Sequence, residues 1–465
     1  MGVKVGPFQV RKVAVIGAGP AGLSAAKYLK AQGSFDSITV FEQQDEVGGI
    51  WKYSDLAPGP YPAPQADPFF APDTPIEEDG RAIFPSAMYS KLHSNIPKQL
   101  MQFGDQEFED DDWAYPSREA VQRYLVKYSQ GVRDIIKFEY QVTNIKHSLK
   151  GVKDEWNLEA QSVTSKEGFS DKYDAVVVAN GHYAIPFTPN IKGLSEFQAA
   201  HPGVIIHSKQ YRAASAYQDK KVVVVGNGPS GSDIALQINQ VSKGKTLLSV
   251  KKPTPPERLQ HIGAEEFAEI NEFITENRTL RFKDGREVTD VDAVVFCTGF
   301  VFSYPFLPDL QRDLITTGRG VHGLYKHLFN IRYPTLVFPA LNMNAVPWPL
   351  SEGQAAVFSA VWSNKLSLPL VEDMEKWSRE LYENKGEALH AFGQGPGDGE
   401  YINEMHDWAT KASHLGKVPP RWSDELFWQR SIFISAKIVF EKAGCKAKNL
   451  EELGLQYDPN WREKN

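Results

Sequence analysis

The sequence predicts an α/β protein that contains the same strand–turn–helix unit twice. Two stretches carry this prediction, "VAVIGAGPAGLSAAKYL" from Val13 and "VVVVGNGPSGSDIALQI" from Val222. In each, four small or β-branched apolar residues run into G-x-G-x-x-G, and an apolar pattern at helical spacing follows. A second repeated pair, "YDAVVVANGHY" and "VDAVVFCTGFV", adds a buried strand to each copy. We therefore expect two Rossmann-like dinucleotide-binding domains, a larger one with a smaller one inserted.

The first glycine-rich turn has the composition of a dinucleotide site. Its first glycine permits the turn, the second lets a pyrophosphate approach the backbone, and the third packs helix on strand. The residues expected to contact the cofactor are Gly17, Gly19, Pro20, Ala21 and Gly22. About 20 residues further on, Glu42 can accept a ribose hydroxyl, so the site suits FAD or NAD. The alternative is a strand-to-helix turn without a ligand.

The second turn differs in its charge. Its expected cofactor contacts are Gly226, Gly228, Pro229, Ser230 and Gly231. About 20 residues after Gly231 stand Lys251 and Lys252, where the first copy has an acid. Two cations would attract a 2′-phosphate, which predicts NADP at this site. The alternative is a solvated lysine pair at a strand end.

Two proline-rich crossings set the predicted domain limits, one at Pro186 and Pro189 and one at Pro305 and Pro308. We expect an FAD domain over residues 1–185 and 301–465, with an NADPH domain over 186–300 inserted in it and a helix from Ser351. Residues 56–85 are rich in proline and are predicted to form an ordered surface excursion or a lid. Two facing dinucleotides suit hydride transfer from a nicotinamide to a flavin.

Composition narrows the class of protein. The chain has 465 residues, 42% hydrophobic and 23% charged, with a net charge of −7. These values suit a globular enzyme and give no general attraction to nucleic acid or anionic membranes. Neither a signal-peptide core nor an apolar run of about 20 residues occurs. We expect a cytoplasmic protein with a small-molecule substrate, no nucleic-acid or membrane partner, and a homodimer as its assembly.

The two cysteines exclude one class of flavoprotein. Cys297 and Cys445 form no CxxC pair, so reduction of disulfides is not supported, and Cys297 reads as a small core residue. GxSxG, HExxH and Cys/His clusters are absent, so hydrolase chemistry and a metal site lack support. A reduced flavin without a protein redox partner leaves O2 as the natural acceptor.

Over nearly its whole length the chain resembles the flavin-containing monooxygenases, most closely their soluble fungal and yeast type. "EVGGIW" matches the GGxW segment near the flavin through Gly48, Gly49 and Trp51, and "CTGF" resembles the family's ATGY. "YSKLHSNIPKQLM" places Asn95 on the active-site asparagine, with His93 as a further expected cofactor contact. Read from residues alone, Asn95 could equally end a turn before a proline.

The most specific match is "PGVIIHSKQYR", which fits the fingerprint FxGxxxHxxxF/Y at Gly203, His207 and Tyr211. His201 stands where the fingerprint has its first aromatic residue. The resemblance implies that His207 is a structural residue of the interdomain linker. Related Baeyer–Villiger enzymes end this fingerprint differently, so Tyr211 favours the monooxygenases proper.

The resemblance implies a mechanism with few protein groups. NADPH reduces FAD, oxygen adds at flavin C4a, and the hydroperoxide oxygenates a soft nucleophile, sulfur or nitrogen. The protein positions NADP⁺ and excludes water, with Asn95 holding oxygen and the nicotinamide ribose. Two alternatives are a Baeyer–Villiger monooxygenase, which attacks ketones, and a non-catalytic dinucleotide-binding redox sensor.

Overall fold

The computed structural model describes residues 3–151, 153–393 and 395–463. Its strands, in chain order, are β1 (Lys12–Ile16), β2 (Ser37–Phe41), β3 (Ile76–Glu78), β4 (Arg81–Ile83), β5 (Ile136–Lys137), β6 (Tyr140–Lys150), β7 (Lys153–Ser162), β8 (Gly168–Tyr173), β9 (Ala175–Val178), β10 (Ile185–Pro186), β11 (Ile205–His207), β12 (Val222–Val225), β13 (Leu247–Ser249), β14 (Glu265–Phe267), β15 (Ile270–Ile274), β16 (Thr279–Phe282), β17 (Glu287–Val288), β18 (Ala293–Phe296), β19 (Phe300–Val301), β20 (Leu324–Tyr325), β21 (Phe329–Asn330) and β22 (Leu336–Val337). Its α-helices are α1 (Pro20–Gln32), α2 (Lys98–Met101), α3 (Arg118–Ser129), α4 (Leu194–Ala200), α5 (Pro229–Asn239), α6 (Pro256–Ile262), α7 (Gln311–Leu314), α8 (Pro347–Trp362), α9 (Val371–Lys385), α10 (Gly397–Ala409) and α11 (Asp424–Lys442).

The larger sheet combines strands from the first 178 residues of the chain with strands β20 to β22. Its order is β20-β21-β22-β9-β1-β2-β5, and β22, β9, β1, β2 and β5 pair in parallel. Side chains of β1 alternate between two cores, Val13 and Val15 on one face and Ala14 and Ile16 on the other. Helices α1 and α8 pack on the first face, and the antiparallel β6-β7-β8 meander covers the second. The α/β fold predicted from the sequence is therefore present.

The smaller sheet repeats this plan. Strands β11-β18-β12-β13-β14 are all parallel. The antiparallel β15-β16-β17 meander lies between β14 and β18 in the chain. All five lie between residues 205 and 296, whereas the larger sheet is completed only by β20 to β22. The smaller Rossmann-like unit is thus inserted within the larger one.

The two connections between the units lie side by side. Strand β10 pairs with β19 in antiparallel fashion, with Ile185 opposite Val301. The domain limits predicted at residues 186 and 300 fall in this pair and stay predictions. The outermost positions of the predicted FAD domain, 1–2 and 464–465, lie outside the described residues.

One predicted element begins elsewhere. We expected a helix from Ser351, but α8 begins at Pro347. Prolines fit the first turn of a helix because the N–H groups there have no intrahelical partner. Almost every residue of α8 is buried, so the helix forms part of the core beneath the larger sheet.

The proline-rich segment 56–85 is ordered and tied to the connections. Gln65 forms a β-bridge with Thr188, and the buried Lys209 ammonium donates to the Asp73 carboxylate at 2.6 Å. The guanidinium of Arg212 donates to several main-chain carbonyls of the segment and its surroundings, at Leu56, Ser86 and Met88. These contacts fix the segment against the interdomain linker. Among the described residues, no helix is both long and apolar enough to cross a membrane.

Candidate dinucleotide sites at the carboxyl edges of the two sheets

The first glycine-rich turn is held by very close backbone contacts. A Cβ added to Gly22 would lie 1.9 Å from the carbonyl oxygen of Gly17, and one added to Gly17, whose φ is +99°, would lie 2.6 Å from that of Ala179. The Gly17 amide donates to the Phe41 carbonyl at 2.8 Å. Gly19 caps α1 without a side-chain hydrogen bond, so the first N–H groups of α1 are open to an anion.

The predicted acid lies directly beside this turn. Glu42 is buried, and its carboxylate accepts from the Ala18 amide at 2.7 Å and from the Gln44 amide at 2.9 Å. Burial raises the pKa of Glu42, against the opposing effect of these hydrogen bonds and of Lys52. Each carboxylate oxygen keeps a further lone pair with which to accept a ribose hydroxyl.

The GGxW segment covers the same turn. A Cβ added to Gly49 would lie 3.1 Å from the Gly19 Cα, and the Gly48 amide donates to the Ala18 carbonyl at 3.0 Å. Trp51 meets Trp348 of α8 edge-on, with the ring centroids 6.4 Å apart. The backbone of the GGxW segment approaches that of Gly19 so closely that side chains at Gly19 and Gly49 would fill the space that a pyrophosphate needs.

The second turn has nearly the same geometry. A Cβ added to Gly231 would lie 1.9 Å from the Gly226 carbonyl oxygen, and one added to Gly226, at φ +103°, would lie 2.8 Å from that of Cys297. Cys297 is thus the counterpart of Ala179. Burial raises the pKa of its thiol to about 12, which keeps it protonated and agrees with a packing role. A Cβ on Gly228 would meet no atom within 4 Å, so this turn is open.

Backbone hydrogen bonds align the two units residue by residue. Gly226 donates to Ser249 as Gly17 donates to Phe41, and the next residues, Val250 and Glu42, donate to their neighbouring strands in the same way. The structural counterpart of Glu42 is therefore Val250.

The two lysines follow Val250 directly. Both Lys251 and Lys252 are exposed, and no ion pair joins either ammonium to the residues that the structure describes. The Asn227 side chain donates to the Lys252 carbonyl at 3.0 Å, which holds this stretch beside the second turn.

Asn95 and His93 occupy different surroundings. Asn95 is exposed in the bend before Pro97, and none of the hydrogen bonds of the described residues involves its amide. The active-site role of Asn95 therefore stays a prediction. The His93 Nδ1 atom lies within donating distance of the Tyr115 carbonyl oxygen, at 3.2 Å, and the His93 ring packs against that of Trp113 with the centroids 5.1 Å apart. Its ring is directed into the protein, and its predicted cofactor contact stays a prediction.

The fingerprint residues join the linker to the smaller unit. His207 is buried, its Nε2 lies 3.0 Å from the Gly299 carbonyl oxygen, and its Nδ1 accepts from the Lys209 amide at 3.2 Å. Burial lowers the pKa of His207 to about 3, so the ring is neutral. The Tyr211 hydroxyl donates to Gln237 of α5 at 3.1 Å.

The remaining fingerprint positions have clear surroundings. His201, which replaces the aromatic residue, packs edge-on against Phe197 with the ring centroids 5.0 Å apart, and its Nε2 lies 2.8 Å from the Thr275 carbonyl oxygen. A histidine ring therefore fills this aromatic position. Gly203 has a φ of +82°, in the region that glycine favours.

Sequence reasoning missed two side-chain amides with buried, unpaired atoms, one of which lies at the first site. Both polar atoms of the Asn342 side chain, just beyond β22, are buried without a hydrogen-bond partner among the described residues. The Gln122 Oε1 atom also has no hydrogen-bond partner among the described residues and lies 2.2 Å from the place of a Cβ added to Gly48. Unpaired buried polar atoms are rare and indicate a missing ligand or water. No spacing in the sequence marks either residue.

The segments that leave the carboxyl ends of β9 and β18 meet. The ring of Tyr183, after β9, contacts that of Phe300, after β18, with centroids 5.4 Å apart and nearly perpendicular. Each unit thus has a glycine turn at the carboxyl edge of its sheet, one beside a carboxylate and one beside two exposed lysines. The residues fit FAD at the first turn and NADPH at the second.

Comparisons with known proteins agree with this geometry. A family profile described as flavin-binding monooxygenase-like matches residues 73–254 and 264–419, and one described as NAD(P)-binding Rossmann-like domain matches 15–70. The thiol-specific monooxygenase of Saccharomyces cerevisiae is 31% identical over 90% of each chain. The Arabidopsis thaliana protein named flavin-containing monooxygenase FMO GS-OX-like 4 is 29% identical over 82% of each. The structure of S-allyl-L-cysteine S-oxygenase from Allium sativum is similar at a TM-score of 0.75 and 25% identity, covering 96% of this chain and 97% of that one.

Proposed function

The chain belongs to the flavin-binding monooxygenase-like family and uses FAD and NADPH, and on that premise we propose that it transfers one oxygen atom from O2 to a sulfur atom of a small molecule. The observation that carries this proposal is the pair of glycine-rich dinucleotide turns, in two units whose strands β9 and β18 lead into segments that touch at Tyr183 and Phe300. That arrangement brings a nicotinamide to a flavin. A cytoplasmic homodimer remains the expected location and assembly.

The choice of sulfur over nitrogen is supported by the relatives. The yeast protein is named thiol-specific and the garlic protein an S-oxygenase, and both align over nine-tenths or more of this chain. A soft nucleophile also needs no protein base, and the site residues include no paired acid and base. Oxygenation of nitrogen or of ketones is the competing outcome of the test below.

In this proposal the protein's own residues bind and orient the two cofactors and exclude water from the site. When bound, FAD would supply the hydride acceptance and the oxygen activation of the reaction. The first turn and Glu42 hold the adenosine diphosphate part of FAD, and Lys251 and Lys252 hold the 2′-phosphate of NADPH. Trp51, against Trp348, contributes a flat apolar wall. The Asn95 amide, which has no partner within the described chain, is free to hold oxygen and the nicotinamide ribose.

The experiment separates reduction from oxygen transfer. Purified protein is supplied with NADPH, O2 and a panel of thiols, sulfides, amines and ketones, and products 16 mass units heavier are sought by mass spectrometry. We expect oxygenated sulfur compounds. If amines are oxygenated instead, the target is nitrogen. If ketones are converted to esters, the protein is a Baeyer–Villiger monooxygenase. NADPH turnover no faster than with free flavin would indicate a redox sensor.

The Asn95→Ala variant tests the assigned site. We expect anaerobic flavin reduction at nearly the wild-type rate, with hydrogen peroxide released in place of product because water reaches the reactive flavin. Asn271→Ala, an exposed asparagine on β15, is the matched control and should keep full product yield. If Asn95→Ala keeps full yield, Asn95 is a turn residue; if it fails at reduction, its role is nicotinamide placement.

A further inference from the structure

The proline-rich segment 56–85 packs against the cores of both units. Ala63 lies in the core of the smaller unit, among residues that include Leu194 and Phe197 of α4. Phe69, a few residues further on, packs against the core between the larger sheet and the β6-β7-β8 meander. Because one short stretch of chain contacts both cores, it limits how far one unit can turn relative to the other.

Hydrogen bonds attach this segment to the smaller unit and to the first connection between the units. The Gln198 side chain of α4 donates to the Tyr61 carbonyl at 2.9 Å and accepts from the Ala63 amide at 2.8 Å. Gln65 and Thr188 exchange two main-chain hydrogen bonds, of 2.9 and 2.7 Å. Thr188 follows β10, so the first connection is held along the same segment.

A buried ion pair lies where the segment crosses the interdomain linker. The Lys209 ammonium is buried and donates to the Asp73 carboxylate and to the Ala184 carbonyl, both at 2.6 Å. The same Asp73 oxygen accepts from the Tyr61 hydroxyl at 2.7 Å. Ala184 directly follows Tyr183, whose ring contacts the segment that leaves β18. One ammonium thus joins the 56–85 segment, the linker and the chain that leaves β9.

This ion pair is better suited to fixing a geometry than to adding stability. Burial lowers the pKa of the Lys209 ammonium, and the Asp73 carboxylate opposes that shift. A buried ion pair often adds no more stability than apolar residues of the same size would. Its partners must still meet at one distance and in one direction, because an unpaired buried charge is costly. The pair therefore favours one arrangement of the three chain segments.

We propose that Lys209 and Asp73 are positioning residues whose ion pair fixes the angle between the two units, and with it the approach of the nicotinamide to the flavin. The effect on the reaction rests on the proposed hydride transfer, in which two electrons pass with the hydride from NADPH to FAD. The effect on the angle does not. Loss of the pair leaves both glycine turns intact, so it should slow hydride transfer without weakening the binding of either cofactor.

The test replaces both charges by apolar side chains, in the double variant Lys209→Met with Asp73→Leu, so that neither charge is left without the other. The matched control is Lys192→Met. The Lys192 ammonium also forms an ion pair at 2.6 Å, with Glu272, but it is exposed and both partners lie within the smaller unit. The control should therefore behave as the wild type does in every measurement.

The first measurement is the distance between the units and needs no turnover. Spin labels are attached at Lys146→Cys of β6 and at Lys245→Cys before β13, both exposed positions, with Cys297 and Cys445 replaced by alanine. We expect one narrow distribution of label distances when the ion pair is present. The double variant should give a broader distribution, because the angle between the units is no longer fixed.

The second measurement is the rate of anaerobic flavin reduction at saturating NADPH. We expect a rate about tenfold lower in the double variant, because a displacement of roughly 1 Å at the reacting atoms is costly. The flavin content and the dissociation constant for NADPH should stay unchanged. A pair that only stabilised the fold would instead lower the flavin content and the melting temperature, and the remaining holoprotein would be reduced at the wild-type rate.

An unchanged distance distribution, or a wild-type reduction rate, would overturn the proposal. If the double variant does not fold, Tyr61→Phe decides, because it removes only the hydroxyl that donates to Asp73. We expect it to broaden the distribution and slow reduction to a smaller extent, and values equal to the wild type would overturn the proposal. If NADPH does not reduce the wild-type flavin, the proposed function fails, while the distance measurement still tests the ion pair.

Discussion

The coenzyme preference should depend on the lysine that is anchored to the second turn. In Lys252→Ala the ammonium is lost while the main-chain hydrogen bond from Asn227 is kept. A charge-assisted contact contributes roughly 1.5–3 kcal/mol, and exposure of Lys252 puts this one at the lower end because water screens it. About 1.5 kcal/mol corresponds to a roughly tenfold higher dissociation constant for NADPH. NADH, which has no 2′-phosphate, should bind the variant and the wild type alike.

The assay measures the rate of anaerobic reduction of the bound flavin by stopped-flow absorbance. The dependence of that rate on the concentration of NADPH or NADH gives the dissociation constant of each coenzyme. Lys245→Ala removes another exposed lysine of the same unit and should change neither constant. The wild-type preference for NADPH should also shrink at high salt. Equal weakening of NADPH and NADH by Lys252→Ala would refute the assignment, since the lysine would then act on a part that both coenzymes share.

Two more predictions concern the first site and the linker. Glu42→Ala should purify with less flavin, since it removes the ribose acceptor and leaves the Ala18 and Gln44 amides unpaired; the ratio of flavin to protein absorbance measures this, and full occupancy would contradict it. His207 has a folded pKa of about 3 against about 6.5 when unfolded, so the unfolded state binds the extra proton and stability falls as the pH drops from about 6.5 toward 3, by up to about 1.4 kcal/mol per unit. Urea unfolding at pH 7.5 and 5.5 should show a smaller loss for His207→Gln than for the wild type; an equal loss would mean that this ring does not titrate on unfolding.

The parts that could be predicted from the sequence are those set by local backbone chemistry. Each glycine turn forces a strand end, a helix start and a neighbouring strand into one arrangement, so two Rossmann-like units follow from two short stretches. Glu42 could be found in the same way. The position of Lys251 could not, because counting from Gly231 does not show which residue continues β13. The main-chain hydrogen bond from Val250 to Phe267 shows it.

The parts that could not be predicted depend on residues far apart in the chain. The fully buried Glu352 accepts from Lys417 at 3.2 Å and from the Gly104 amide at 2.8 Å, and no spacing in the sequence connects these three. Burial raises the pKa of Glu352, and Lys417 opposes that shift. The unpaired amide of Asn342 could not be predicted for the same reason. Whether a buried group lacks a hydrogen-bond partner depends on all the residues that surround it in the fold.

The duplicated turn shows how one backbone can hold two different coenzymes. The contacts that a Cβ would make at the first and third glycines differ by no more than 0.2 Å between the two copies, 1.9 and 1.9 Å at the third and 2.6 and 2.8 Å at the first, whereas the second glycine is open only in the second copy. Both turns have the backbone of a pyrophosphate site, so discrimination between the coenzymes lies with the side chains at the end of the second strand. There the first unit has the buried carboxylate of Glu42, which accepts a ribose hydroxyl and repels a phosphate. The second has Val250, which does neither, followed by two free cations. An apolar residue at that position removes the repulsion, and the lysines then add the attraction, so the preference for NADPH requires both changes together.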